Sequence, residues 1–202
     1  MKITSDDEFI SLDGSRYRGE MMIHSRPGGL LVVNELPMEV YLVGLINAEA
    51  HSTWPVESLR AQAAAARSYA LYRASESEPR AFDVRATVAD QVYHGSSLED
   101  RASYEAVHST RGEILLYRGE PIKAFYHSTC GGMTASAREV WGADLPYLKS
   151  LECRWCVESP RYFWKYATSG KHIGEALARH GHDVGKVKSI KILDKTPSRR
   201  NK

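Results

Sequence analysis

LPMEVYLVGLINAEAHSTWPVESLRAQAAAARSYALYR, Leu36 to Arg73, reads as two helices joined by a short elbow. Pro37 suits a first helical turn, and Tyr41, Leu42, Leu45, Ile46 and Ala48 recur at helical spacing, which predicts an amphipathic helix over Met38 to Glu49. Glu49 lies seven residues after Leu42, four after Leu45 and three after Ile46, so its carboxyl sits on the apolar side where a leucine is expected. Burial and the negative end of the helix dipole both disfavour the ionised form. Such a carboxyl is expected to stay protonated near neutral pH and to act as an acid.

The second helix is expected to begin at Trp54-Pro55, with Pro55 at its first position and Glu57 able to fold back on the free N–H groups. Its centre, Ala61 to Ala66 broken only by Gln62, allows another backbone to approach closely. Gln62 and Tyr69, seven apart, share one face. Two readings of the acid stay open at this point. It is either a catalytic acid or one half of a buried ion pair with Arg67 in a tight helix–helix contact, since structural pairs also shift proton affinities.

The stretch resembles the signature of the stage II sporulation protein D family (SpoIID/LytB domain), whose members carry an acidic residue at the place of Glu49. Leucine-proline, the acid, tryptophan-proline, and an alanine-rich helix with Gln62, Arg67 and Tyr69 occur in that order. DQVYHG (90–95) and FYHSTCGGMTASAREVWG (125–142) match as well, so the likeness covers about Leu36 to Tyr166. It implies a mixed, non-repetitive α+β domain and a lytic transglycosylase acting on peptidoglycan glycan strands, preferably those stripped of stem peptides by a partner amidase. It also implies groove residues that position the sugar: Gln62, Arg67, Gln91, Tyr93, Tyr126 and Ser128, with Arg67 alternatively holding a structural carboxylate. Without the resemblance, Val92 and Tyr93 read equally well as packing residues. Some members resemble zinc proteins at 82–93, but FDVRATVADQVY has neither cysteine nor histidine, so that site is absent here. Other proteins with this domain are amidase enhancers, which makes a non-catalytic peptidoglycan-binding module the alternative.

At 202 residues the chain can bury a full core and is read as one domain, 1–202. Its 27 basic and 25 acidic residues leave a formal charge of +2, so nucleic acid is not implied. No run approaches membrane-spanning length. MKITSDDEFI is too acidic to read as a secretory signal, so the extracytoplasmic location that the resemblance implies needs a signal or anchor outside this sequence.

Strands are expected at Phe9 to Leu12, Tyr17 to Ile23 and Leu30 to Val33, turning at Asp13-Gly14 and Pro27-Gly28. Glu76 to Arg80 reads as a charged connection, Phe82 to Thr87 as a short strand, and Leu98 to His108 as a helix capped from Ser96-Ser97. A hairpin, Ile114 to Tyr117 with Ile122 to Tyr126, delivers Tyr126, His127, Ser128 and Thr129 to the loop Cys130-Gly131-Gly132, a second wall for the site. His127 beside Ser128 does not make a serine hydrolase, because neighbours on a strand face opposite ways. Ala135 to Trp141 reads as a helix or turn, with Glu139 an exposed acid.

Cys153 and Cys156 have the spacing of a zinc knuckle, and Cys130 offers a third thiolate. His127 is the preferred fourth ligand, with Asp144 behind it. A disulfide or unlinked thiols remain open beside structural zinc, which would pin the glycine loop without taking part in chemistry. Tyr162, Trp164 and Tyr166 alternate with charge as in an amphipathic strand, suiting sugar stacking or a core alike. A helix follows to His180, stopped by Gly181, then a strand over Val187 to Leu193 and a basic tail, 197–202, expected to be mobile. Family members run on beyond this strand, so the C-terminal part reads as shortened.

Most glycosidases use two carboxylates, and this sequence offers one that is well placed. A lytic transglycosylase resolves the shortage, since the substrate's own C6 hydroxyl is the nucleophile and Glu49 alone serves as acid and then base.

Overall fold

The computed structural model describes residues 1–76 and 80–201; residues 77–79 of the expected charged connection and Lys202 of the tail lie outside them. Helices and small antiparallel sheets give the expected α+β class. The chain divides into two compact units, Met1–Tyr126 and His127–Lys202.

In the first unit, β1 (Lys2–Ile3) pairs with β4 (Glu20–Arg26), which pairs with β5 (Gly29–Glu35); β2 (Ile10–Leu12) and β3 (Ser15–Tyr17) make a separate hairpin. The single strand expected over Tyr17 to Ile23 is thus broken. At Gly19 the backbone has φ +78°, and a Cβ there would stand 2.4 Å from the Glu35 carbonyl oxygen, so the chain leaves one sheet and enters the other at that glycine.

α1 (Met38–Glu49) and α2 (Val56–Ser75) are the two expected helices, each starting one residue after its proline. Tyr41, Leu42, Val43, Gly44, Leu45 and Ile46 are all buried, so α1 is a central helix enclosed on every side, not the expected amphipathic one. The reason is the number of its neighbours. α2 covers it with Leu59, Ala63, Ala66 and Ala70, α3 (Arg101–Ser109) with Ala106 and Val107, and Tyr93 closes a further side. Leu42, Leu45 and Ile46 are fully buried, and each contributes about 1.5–3 kcal/mol relative to exposure. Glu57 does not fold back on the helix N-terminus; it pairs with Arg60 at 2.6 Å.

The glycine in α1 costs about 0.5–1 kcal/mol relative to alanine, and its close contacts account for it. A Cβ at Gly44 would lie 2.6 Å from the Gly95 carbonyl oxygen and 2.8 Å from the Tyr93 ring. Gly95 itself, at φ +72°, opens a 3-10 turn (Gly95–Leu98) and would press a Cβ to 2.2 Å from the Arg16 carbonyl. α1, this turn and β3 therefore meet backbone to backbone. α3 is capped by Asp100, which exchanges hydrogen bonds with Ser103, so it begins later than expected. No strand forms over 82–87. β6 (Leu116–Tyr117) and β7 (Glu120–Pro121) are the expected hairpin in shortened form, turning at Arg118 (φ 54°) and Gly119 (φ 87°).

The second unit holds α4 (Ala137–Trp141) and α5 (Gly170–Arg179), with irregular backbone elsewhere. Neither 162–166 nor 187–193 pairs as a strand. The segment near the C-terminus, expected to be mobile, is tied down. Ser198 is buried and donates through both N–H (2.9 Å) and hydroxyl (2.7 Å) to Glu139, while Arg200 donates to the carbonyls of Cys130 (3.2 Å) and Met133 (2.9 Å).

Gly44→Ala tests the backbone contact in the first unit. Overpacking against a carbonyl that cannot move aside should cost about 1–3 kcal/mol, read as a lowered midpoint in urea denaturation.

Candidate active site and metal centre

Glu49 is the last residue of α1, half-buried beside the loop that carries residues 90–95. The Val92 N–H donates to Glu49 Oε1 at 2.8 Å, and the Glu49 charge helps to raise the proton affinity of the Tyr126 hydroxyl. Among the described residues no ion pair reaches Glu49. The basic partner that the sequence left open is taken elsewhere. Arg67, 2% exposed, grips Glu39 through Nε (3.0 Å) and Nη2 (2.7 Å) and donates to the carbonyls of Glu113 (3.0 Å) and Val107 (3.2 Å). The buried ion pair between the helices exists, and its acid stands ten residues before Glu49.

Gln91 is fully buried at the centre of a polar cluster. Its carbonyl accepts from the Tyr41 hydroxyl (3.1 Å), and its amide donates to the Ala66 carbonyl and the Tyr126 hydroxyl (3.3 Å each). Burial is the main cause that raises the Tyr126 and Tyr41 hydroxyls above the ordinary tyrosine range, with the Glu49 charge adding to it. Both remain neutral donors. Tyr93 is also buried, with its ring 5.0 Å from that of Tyr41 and its hydroxyl 3.4 Å from Asn34 Oδ1. Asp90 accepts from the Tyr69 hydroxyl (2.7 Å) and the Arg85 N–H (3.0 Å) and stands 3.1 Å from Arg73 Nε.

The expected groove residues of this unit therefore divide. Glu49, Gln91 and Tyr126 are brought together. Arg67 and Gln91 are enclosed by protein, against the expectation that they touch a sugar, and Tyr93 is nearly so; their polar atoms hold helices and neighbouring side chains. Gln62 is half-buried, and its amide nitrogen has no hydrogen-bond partner among the described residues. Ser128 is exposed and belongs to the second unit. Sequence reasoning missed Glu39 as the mate of Arg67 and the Val92 N–H as the donor to Glu49. The first left a signal, an acid in the first turn of a largely apolar helix. The second left none, because a backbone group has no letter.

In the second unit, Cys130 Sγ lies 3.3 Å from Cys156 Sγ, Cys153 Sγ lies 3.9 Å from Cys156 Sγ, and all three thiols fall within 4.8 Å of one another. They are unlinked. Residues 132–134 and 151–153 run side by side, joined by Cys153 N–H to Gly132 O and Thr134 N–H to Leu151 O (2.9 Å each), and this brings the distant cysteine to the close pair. A tetrahedron with Zn–S bonds of about 2.3 Å has S–S edges of about 3.8 Å, so the trio fits three corners of a zinc site. His127 is exposed and is not part of this group, and neither is Asp144, against the expectation for the fourth ligand. The chain runs outward before Cys130, leaving His127 at the surface. Burial pushes the Cys130 thiol up to about 11, while contacts with Cys130 and with the Trp155 N–H hold Cys153 below its ordinary value.

Glu139 is not the free surface acid expected. One carboxylate oxygen accepts from the Ser136 N–H and hydroxyl, closing the capping box of α4, and the other accepts from Ser198. Backbone donors at Ser136 and then Ser198 hold its carboxyl far below the usual carboxylate range.

Residues 26–117 match the sequence model of the family described as SpoIID, stage II sporulation protein. The chain is 36% identical to an uncharacterised protein of Brachyspira hyodysenteriae over 91% of its own length and 50% of the relative's. It is 34% identical to stage II sporulation protein D of Bacillus subtilis over 64% of this chain and 42% of that one, and 39% identical to the amidase enhancer of the same organism over 69% and 19%. The chain thus spans half or less of the length of these relatives. No helix among the described residues is long and apolar enough to cross a membrane.

The Glu139 carboxylate sets a pH dependence. Its value in the folded protein is depressed, so the docking it provides is fully present above the unfolded carboxylate range, about 4.3, and is lost as pH falls through the lower folded value. The Ser198 amide resonance should hold its position down to about pH 4 and move only below it. Glu139→Gln should give trypsin faster access to Lys195 and Arg199 at neutral pH.

Proposed function

We propose, from the membership of this chain in the SpoIID family, that it acts on the bacterial cell wall as a peptidoglycan lytic transglycosylase with Glu49 as its single acid and base. The observation that carries this reading is that Glu49 is free of any cation among the described residues, Arg67 being spent on Glu39.

With Oε1 held by the Val92 N–H, Oε2 is the oxygen that gives and retrieves the proton. Protonated Glu49 donates to the glycosidic oxygen between muramic acid and glucosamine, and the C1–O bond breaks as positive charge develops on the muramic ring. The Glu49 carboxylate then takes the proton of the muramic C6 hydroxyl while that oxygen bonds to C1. The products are a glucosamine-ended strand and an anhydro-muramyl end, with no water consumed. Gln91 holds the Tyr126 hydroxyl, whose proton affinity is raised by the nearby Glu49 charge. Gln62, whose amide nitrogen has no hydrogen-bond partner among the described residues, is the groove residue of the first unit left to meet the sugar. The site works outside the cytoplasm, on strands stripped by a partner amidase.

Cys130, Cys153 and Cys156 hold structural zinc in this reading. When bound, zinc would lock the glycine loop to the 153–156 turn through these thiolates.

Glu49→Gln should reduce the release of anhydro-muramyl ends by roughly 10²–10⁴-fold, measured by mass spectrometry of peptide-free strands, with the circular dichroism spectrum unchanged. Undiminished cleavage by the folded variant refutes the assignment. The amidase-enhancer reading makes the opposite forecast: the variant still stimulates an added amidase, and the wild type forms no anhydro ends. For the metal, elemental analysis of freshly purified, reduced protein should find zinc at one equivalent and none in Cys153→Ser. A zinc-free wild type removes that part of the proposal.

A further inference from the structure

The near-neutral total charge conceals two opposed halves. Residues 1–126 carry 13 lysines and arginines against 18 acids, formally −5, whereas 127–202 carry 14 against 7, formally +7. Within the basic unit, 153–166 interleaves cations with rings: Arg154-Trp155, then Arg161, Phe163, Trp164, Lys165 and Tyr166. The sequence leaves these rings equally suited to a core or to a sugar. The structure removes the core, since Trp155 is 85% exposed, Phe163 83%, Trp164 80% and Tyr166 79%. Apolar surface left open on this scale marks a place of contact.

Local geometry fixes how the rings are shown. Arg154 and Trp155 are the spacer of the Cys153–Cys156 turn, whose start is held by Gly132 O and whose end leads through Ser159 to Tyr162. The Tyr162 hydroxyl lies where a Cβ on Gly132 would meet it at 2.8 Å, and its ring stands edge-on to Phe163 at 4.8 Å. One acid lies within the stretch and a second just before it. Glu152 faces Arg199 at 3.6 Å, and Glu158 is exposed.

We propose that Arg154-Trp155 and Arg161–Tyr166 form a non-catalytic docking surface for a carboxylate-bearing glycan. This rests on the cell-wall reading above, and charge complementarity selects the occupant. Indole and phenol faces take the C–H faces of pyranose rings, while guanidinium and ammonium groups take carboxylates. Hydrolysing the amide that joins a stem peptide to its sugar leaves one carboxylate on that sugar. The product of such a hydrolase therefore offers sugar faces and anions in regular repeat. A lipid surface calls instead for an amphipathic helix with its apolar side continuous, and 153–166 is irregular backbone with rings and cations mixed.

The test is co-sedimentation of full-length Glu49→Gln, which leaves strands uncut, with peptide-free glycan strands, with neutral chitin, and with phosphatidylcholine vesicles containing phosphatidylglycerol. Trp155→Ala/Trp164→Ala and Arg154→Gln/Arg161→Gln/Lys165→Gln should each weaken strand binding roughly tenfold, a change of about 1.4 kcal/mol. Added salt should reproduce the effect of the charge variant, and neutral chitin should bind more weakly than strands and ignore that variant. All five side chains are at the surface of irregular segments, so unchanged thermal midpoints separate lost docking from lost folding. Strand binding unaffected by both variants overturns the proposal, as does preference for the anionic vesicles over strands. Loss of the transglycosylase reading is seen separately, as wild-type protein that binds strands by these residues and yields no anhydro ends.

Discussion

The Arg67–Glu39 pair is the constraint on which the first unit turns. Arg67 rises from the middle of α2, almost wholly enclosed, and spends its guanidinium on one carboxylate and two carbonyls. Taking these charges out of water is costly, and the pair adds little net stability over an apolar contact of the same shape. What it adds is register. Breaking it by removing one partner costs about 3–5 kcal/mol, so α2 cannot slide along α1 without leaving a buried charge unpaired. The same pairing consumes the cation that the sequence offered as a mate for Glu49.

Behind the acid, a neutral polar cluster takes over from charge. Gln91 accepts from Tyr41 and donates to the backbone of α2 and to Tyr126, so one amide joins two helices, the loop at 90–95 and the last residue of the first unit. An amide suits this place better than a carboxylate would. It can both give and receive, it brings no charge to lower the acidity of its neighbour, and every one of its partners is already neutral.

Much of this was legible in the sequence. The two helices, the isolated acid and the meeting of three cysteines follow from spacing and from residue chemistry. The surroundings of α1 were not legible, because Met38 to Glu49 carries enough polar letters to imitate a surface helix while its neighbours wrap it completely. Tyr93, Gln91 and Arg67 look like groove residues for a related reason. Long polar side chains can reach solvent or can satisfy buried groups, and only the packing tells which. The strands expected at 162–166 and 187–193 rested on alternation alone, which cannot supply a partner strand. Glu139 shows the converse, an acid read as solvated that proves to be the knot of the second unit.

The contact between Gly44 and Gly95 has a metrical consequence. Because two backbones touch there, Gly44 is the fixed origin from which the rest of α1 is measured, and Glu49 stands five residues on, about 7.5 Å along the axis. Each residue inserted in or deleted from that interval would swing the carboxyl through about 100° around the helix, away from Val92, with every amino acid of the site still present. The reach of this acid is thus set by a count of peptide units from a missing side chain, a ruler whose zero mark is an absence.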